Sequence, residues 1–176
     1  MANEQERTLA ALQTAVQMEI RGKQYYRKAS QTSSNKWGKK LLQTLAGEED
    51  RHRRRFEEIY EALRVKNTWP NLTSPLKSSR QVKDLFARIN RETDSSHRPP
   101  AAELSHVEKA MAMENETFDF YKGEGAKAAS AVEKDFYESI AAEEKEHYLA
   151  LLDYYEYLKN PAAWFVRSEH PALDGG

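Results

Sequence analysis

Glutamate and histidine recur in this 176-residue chain in one pattern, stated twice at an offset of ninety-five residues. Glu19 returns as Glu114, and the run Glu48-Glu49-Asp50-Arg51-His52 returns as Glu143-Glu144-Lys145-Glu146-His147. In both copies thirty residues separate the lone Glu from the Glu of a Glu-x-x-His, and Met18 and Tyr26 return as Met113 and Tyr121. Four carboxylates and two imidazoles at matched positions are the donor set of a two-metal site inside a helical bundle.

Such a set works only if long helices hold it at one level. Leu9, Leu12, Val16, Met18, Ile20 and Tyr26 recur at mixed three- and four-residue steps, which predicts a first helix from about Glu4 to Ser30. Turn-forming residues from Ser30 to Asn35 interrupt it. A second helix follows from about Lys36 to Lys66, carrying Leu41, Leu42, Leu45, Phe56, Ile59 and Leu63. Pro99 and Pro100 open a third from about Ala101 to Lys122, with Gly123 and Gly125 in the turn after it. The fourth covers about Ala131 to Lys159 and stops before Pro161.

The stretch 67–100 holds four of the six prolines and one short helical candidate near Gln81 to Asn90. It reads as a crossover within one domain, so residues 1–160 are expected to form an all-α four-helix bundle. A ~30-residue helix is about 45 Å long, and a linker of this size can run its length. The second hairpin can then enter from the same end as the first, unlike a simple up-down-up-down bundle. The tail, 161–176, is expected to dock Trp164 and Phe165 on the bundle.

The first turn centres near Ser34, fifteen residues from both Glu19 and Glu49, and the second near Ala129, fifteen residues from Glu114 and Glu144. Residues equidistant from the turn of an antiparallel pair share a height, so each hairpin presents two carboxylates side by side. The helical neighbours are apolar: Leu12, Ala15 and Val16 for Glu19; Leu42, Leu45 and Phe56 for Glu49; Val107, Ala110 and Phe118 for Glu114; Tyr137, Ile140 and Leu151 for Glu144. His52 and His147 lie one turn further along the same stripes. An unpaired buried carboxylate costs several kcal/mol, and four would rival the ~5–15 kcal/mol net stability of a domain. Too few Lys or Arg lie on these stripes to pair them. Two divalent cations balance four carboxylates and two neutral imidazoles, and oxygen-rich ligation with one imidazole per ion suits iron or manganese.

Glu48 and Glu143 are rival ligands, since they are duplicated too and lie four residues before each His. The face of Glu48 carries Thr44, Arg51 and Arg55, and that of Glu143 carries Ser139, Glu146 and Ala150, so periodicity favours Glu49 and Glu144. Glu103 and His106 share the Glu-x-x-His spacing but lack a repeat, and they are expected on the surface with His97 and His170. Tyr26 and Tyr121 are expected as core packing, and Arg51, Arg53, Arg54 and Arg55 as a solvated face with Glu57, Glu58 and Glu61.

The segments Ala15 to Tyr26, Leu45 to His52, Ala110 to Tyr121 and Ile140 to His147 resemble the rubrerythrin-like branch of the ferritin-like di-iron proteins, over about residues 4 to 160. The resemblance implies a ferritin-like bundle in which Glu49 and Glu144 bridge two iron ions, Glu19 and Glu114 are terminal ligands, and His52 and His147 each hold one ion. It also implies a non-haem di-iron oxidoreductase that couples Fe(II) oxidation to reduction of peroxide or dioxygen. Two departures matter. The chain has no cysteine, so it lacks the cysteine-ligated rubredoxin centre, and an external electron donor is expected. Thr117 stands where rubrerythrins carry a further Glu, three residues after Glu114, which brings the site closer to those of bacterioferritins. Iron storage or sequestration, and a metal-stabilised bundle without catalysis, are the alternative readings.

A net charge of -1 gives no hint of nucleic-acid or anionic-membrane binding. The acidic N-terminus has no continuous apolar core of a signal peptide, and no window approaches the ~18 apolar residues of a membrane span. A soluble, cytoplasmic protein is expected, as a homodimer or higher homo-oligomer.

Overall fold

A computed structural model of the chain describes residues 2–66, 68–70 and 101–169. These form five helices: α1 (Ala2–Thr32), α2 (Lys36–Lys66), α3 (Ala101–Lys127), α4 (Ala131–Lys159) and α5 (Pro161–Glu169). Among the described residues there is no strand, and no helix is long and apolar enough to cross a membrane. The crossover from 71 to 100, with its helical candidate near Gln81 to Asn90 and with His97, lies outside the described residues, as do His170 and the side chain of Phe165.

Local chemistry sets the helix boundaries. Asn35 caps α2, its Oδ1 accepting the backbone N–H groups of Trp37 at 2.8 Å and Gly38 at 3.1 Å. Ser130 caps α4 by accepting from the Glu133 N–H at 3.2 Å. Glu133 in turn accepts from the Ala129 N–H at 3.0 Å and from Thr8 Oγ1 on α1 at 3.3 Å, so one carboxylate ties a cap to a neighbouring helix. Asn160 closes α4 through its N–H to the Glu156 carbonyl, and its Oδ1 caps α5 by accepting from Ala163 N–H at 3.1 Å. Trp164 on α5 is buried against Tyr157, with ring centroids 5.5 Å apart, and donates its indole N–H to Asp153 at 2.9 Å.

The turns fall at 33–35 and 128–130, centred on Ser34 and Ala129. Helix α3 runs through Gly123 and Gly125, which were expected to lie in the turn. A helical glycine costs about 1 kcal/mol relative to alanine, and the packing of α3 along α4 outweighs it.

Helices α1 and α2 form one antiparallel hairpin, as Gln5 reaching Leu63 O and Lys23 reaching Asp50 show. Helices α3 and α4 form the other, and each hairpin packs on the other through α1 with α3 and α2 with α4. The order departs from a simple up-down-up-down bundle, as expected, but the end from which the second hairpin starts corrects the sequence expectation. Ser33 and Ser34 hydrogen-bond Glu103 at the start of α3, while Thr8 meets Glu133 at the start of α4. The second hairpin therefore starts where the first turns round, opposite to the end where α1 begins, and α1 and α3 run antiparallel.

Glu103 also departs from expectation, because it is buried rather than on the surface. It accepts from Ser33, Ser34 and, at 2.7 Å, from Tyr154 Oη, and so holds the first turn to α3 and α4. Gly38 faces the same spot, where a Cβ would collide with Tyr154 Oη and crowd Glu103. Gly38→Ala is expected to destabilise the fold by about 1–3 kcal/mol, the cost of overpacking a well-filled site; urea denaturation measures it.

The core divides into two apolar layers. One joins Tyr26, Leu41, Leu42, Leu45, Val107, Leu151 and Tyr154 towards the first turn. The other joins Leu12, Phe56, Ile59, Tyr121, Phe136, Tyr137 and Ile140, and Trp69 packs its ring on Phe136 and Tyr137. Polar side chains occupy the level between them.

Candidate metal centre

At mid-bundle the four long helices each send acidic or imidazole groups inward. Glu19 comes from α1, Glu49 and His52 from α2, Glu114 from α3, and Glu144 and His147 from α4. None is more than 3% exposed. They assemble into two overlapping groups, Glu19, Glu49, His52 and Glu144, and Glu49, Glu114, Glu144 and His147. Within each group one donor atom per residue lies within 4.8 Å of all the others, a spacing that a single cation can fill. Glu49 and Glu144 belong to both groups, so their carboxylates stand between the two positions.

The pseudo-two-fold relation in the sequence is visible in the contacts. His52 Nδ1 lies 3.6 Å from Glu19 and 3.0 Å from Glu144; His147 Nδ1 lies 3.6 Å from Glu114 and 3.4 Å from Glu49. The two imidazoles face each other, with ring centroids 5.6 Å apart and planes within 20° of parallel. Tyr26 Oη donates to Glu114, and its counterpart Tyr121 Oη donates to Glu19.

Six of the eleven buried side-chain atoms without a hydrogen-bond partner among the described residues belong to this cluster. Glu19 Oε2, Glu49 Oε1, His52 Nδ1, Glu114 Oε2, Glu144 Oε1 and His147 Nδ1 are buried without a hydrogen-bond partner. Buried polar atoms are nearly always paired, and leaving one unpaired costs about 1–3 kcal/mol. Six such atoms, one from each residue, directed at two points is the arrangement of a cluster built for cations. The cluster fits a di-iron protein in donor chemistry as well.

The electrostatics of the metal-free cluster follow from its crowding. Burial, and then the charges of Glu19, Glu144 and Glu114, raise Glu49 well above the carboxylate range. Burial and Glu144 push Glu114 up to about 8. For Glu144, burial acts upward, but the imidazoles of His147 and His52 prevail and hold it well below. Burial acts downward on His52 and His147, and the surrounding carboxylates outweigh it, so both keep their proton well above the usual range. The cluster without metal thus stores protons.

This fixes the sign of a pH effect. Glu49, Glu114, His52 and His147 bind protons more tightly folded than unfolded, so their contribution to stability is present in acid and lost as pH rises. For the carboxylates the loss begins above the ordinary value of 4.5 and, for Glu114, runs to about 8. For the imidazoles it begins above 6.5. Glu144 acts in the opposite sense, only below 4.5. The metal-free chain is expected to have a lower denaturant midpoint at pH 8 than at pH 5.5; an equal or higher one would contradict the protonated cluster.

Further residues bear on the site in ways that reading single helix faces missed. Glu48 and Glu143, placed on polar faces by periodicity, are both buried, each 3% exposed. Glu143 Oε2 lies 3.0 Å from His52 Nε2, on the side of the ring away from the cluster. Arg51 leaves the solvated face expected of the arginine run and contacts Glu48 and Glu143, while Arg53, Arg54 and Arg55 pair outward with Glu57, Asp50 and Glu58. Thr117 Oγ1 lies 3.0 Å from the Glu114 carbonyl and 3.3 Å from Glu144 Oε2. Gly22, its two-fold counterpart, leaves room for Glu49, whose Oε2 would lie 3.0 Å from an added Cβ. Tyr26 and Tyr121 do fill the core, but burial and the nearby Glu114 and Glu19 charges hold their phenols protonated, as donors to those carboxylates.

Comparison with known proteins agrees with this arrangement. A family model described as Rubrerythrin matches residues 10–155. No curated protein and no solved structure matches the chain significantly.

Proposed function

The chain belongs to the rubrerythrin family, and from that premise we propose that it is a di-iron oxidoreductase that turns over peroxide or dioxygen. The observation that carries the reading is the set of six buried, unpartnered donor atoms directed at two points. Glu49 and Glu144 would bridge the ions, Glu19 and Glu114 would each complete one position, and His52 and His147 would supply one nitrogen each. Iron bound there supplies the electrons that reduce the oxidant.

The protein's own residues prepare that chemistry. Tyr121 and Tyr26 each hold one oxygen of Glu19 and Glu114 by hydrogen bond, leaving the other oxygen for the ion. The apolar layers above and below exclude water, so charges at this level interact strongly. Glu49, Glu114 and the imidazoles surrender their protons when cations bind, so ion uptake at neutral pH releases protons. A surface groove between α1 and α3 is lined by Met18, Arg21, Tyr25, Lys109, Met113, Glu116 and Thr117, and Thr117 at its floor, 3.3 Å from Glu144, marks the side from which an oxidant would approach. These 176 residues hold no cysteine, so electrons would reach the site from a donor outside them.

Metal analysis of protein purified without chelator, paired with optical spectra before and after peroxide, tests the proposal. About two irons per chain and rapid reoxidation of the reduced site are expected. Full peroxide turnover by a metal-free preparation would defeat it. Light scattering separates the storage alternative, which needs a large hollow shell in place of a small oligomer.

A further inference from the structure

We infer that the two metal positions are inequivalent, and that Glu143 and Arg51 make them so by strengthening the position that contains His52. The inference rests on the two-metal reading of the site.

Around the cluster the two halves repeat: Tyr26 to Glu114 mirrors Tyr121 to Glu19, and the Nδ1 contacts of His52 mirror those of His147. The repetition fails on the far side of the imidazoles. His52 Nε2 has Glu143 Oε2 at 3.0 Å. His147 Nε2 is buried with no hydrogen-bond partner. The two-fold counterpart of Glu143 is Glu48, which is also buried, and its carboxylate lies against Arg51 of its own helix. Arg51 Nη2 lies 3.8 Å from the same Glu143 oxygen that meets His52. The second copy has no such cation, because Glu146 occupies the position that matches Arg51.

The chemical consequence follows from the tautomer. A carboxylate at Nε2 keeps the imidazole proton there, so the Nδ1 lone pair faces the cluster, and it makes that nitrogen a stronger donor. Arg51 lies beside Glu143 and against Glu48, so one cation helps decide which carboxylate faces an imidazole. His147 has neither aid. Partners of this kind change metal affinity by about 10- to 100-fold, so the His52 position fills first. Glu143 and Arg51 are positioning residues: both act through His52 and neither belongs to the ligand groups.

Anaerobic titration of the full metal-free chain with cobaltous ion, followed by calorimetry and visible absorption, reads the two positions separately. The wild-type chain is expected to bind in two steps about 10- to 100-fold apart. Glu143→Gln should weaken the first step by about tenfold or more and leave the second in place. Arg51→Gln should narrow the gap, since it releases Glu48 towards His147 and weakens support for Glu143. Opposite effects on two steps cannot come from a general loss of structure, and thermal melting of each metal-free variant checks that it is folded. Two equal steps in the wild type, or equal weakening of both steps by Glu143→Gln, would overturn this inference while leaving the two-metal reading standing. No cobalt bound by the wild type would overturn both.

Discussion

Glu144→Ala is expected to strip both ions from the protein and to lower turnover by about 10³-fold or more. Its carboxylate belongs to both ligand groups, with one oxygen 3.0 Å from His52 Nδ1 and the other 3.6 Å from His147 Nδ1. Removing it takes a ligand from each position and one of the four negative charges that offset two divalent cations. A bound ion contributes several kcal/mol to such chemistry, and about 4 kcal/mol corresponds to the stated factor. Glu49→Ala should behave alike. Glu19→Ala provides the contrast, because Glu19 serves one group only, and about one ion per chain should remain. Metal content by elemental assay, measured beside turnover, checks the pattern; equal loss from Glu19→Ala and Glu144→Ala would contradict the bridging geometry.

Ferrous ion added without oxygen is expected to raise the melting temperature by about 15–30 °C, and a chelator to reverse the rise. Ions that bind only the folded state stabilise it by about 4 kcal/mol per site at a thousandfold excess over Kd. For a chain of this size each kcal/mol moves the midpoint by about 2–4 °C. The cluster makes the effect large because the metal-free fold crowds four buried carboxylates around two imidazoles, and two cations neutralise them together. Calorimetric melting at fixed pH measures it. A midpoint indifferent to iron would mean that protons alone satisfy the cluster.

The parts of this molecule differed in how far their residues announced them. The level of the site was readable, because Glu19 and Glu49 stand equally far from Ser34, and Glu114 and Glu144 from Ala129, and antiparallel helices convert equal distance into equal height. Hairpin direction was not readable from the same arithmetic. Mid-helix carboxylates keep their height whichever end a hairpin starts from, and only contacts such as Ser33 with Glu103 distinguish the two topologies. The burial of Glu48 and Glu143 was hidden for a related reason. Their neighbours on their own helices include Arg51, Arg55 and Glu146, but Glu143 meets His52 and Arg51 across on α2, and Glu48 lies against Arg51 folded inward on its own helix. Arg51 illustrates the point in one side chain, 41% exposed yet with its guanidinium turned inward to two acids. Gly123 and Gly125 were misread because turn propensity is a weak local force beside a continuous helix–helix contact.

Each ligand group draws three residues from one hairpin and a single residue from the other. A cation held there acts as a rivet through two half-molecules, in addition to serving chemistry. Severing the polypeptide between Pro70 and Ala101 would leave three of the six ligands on either fragment, neither able to enclose an ion alone. Such fragments should clasp each other when divalent metal is supplied and part when it is withdrawn, which would make the bundle a metal-operated fastener.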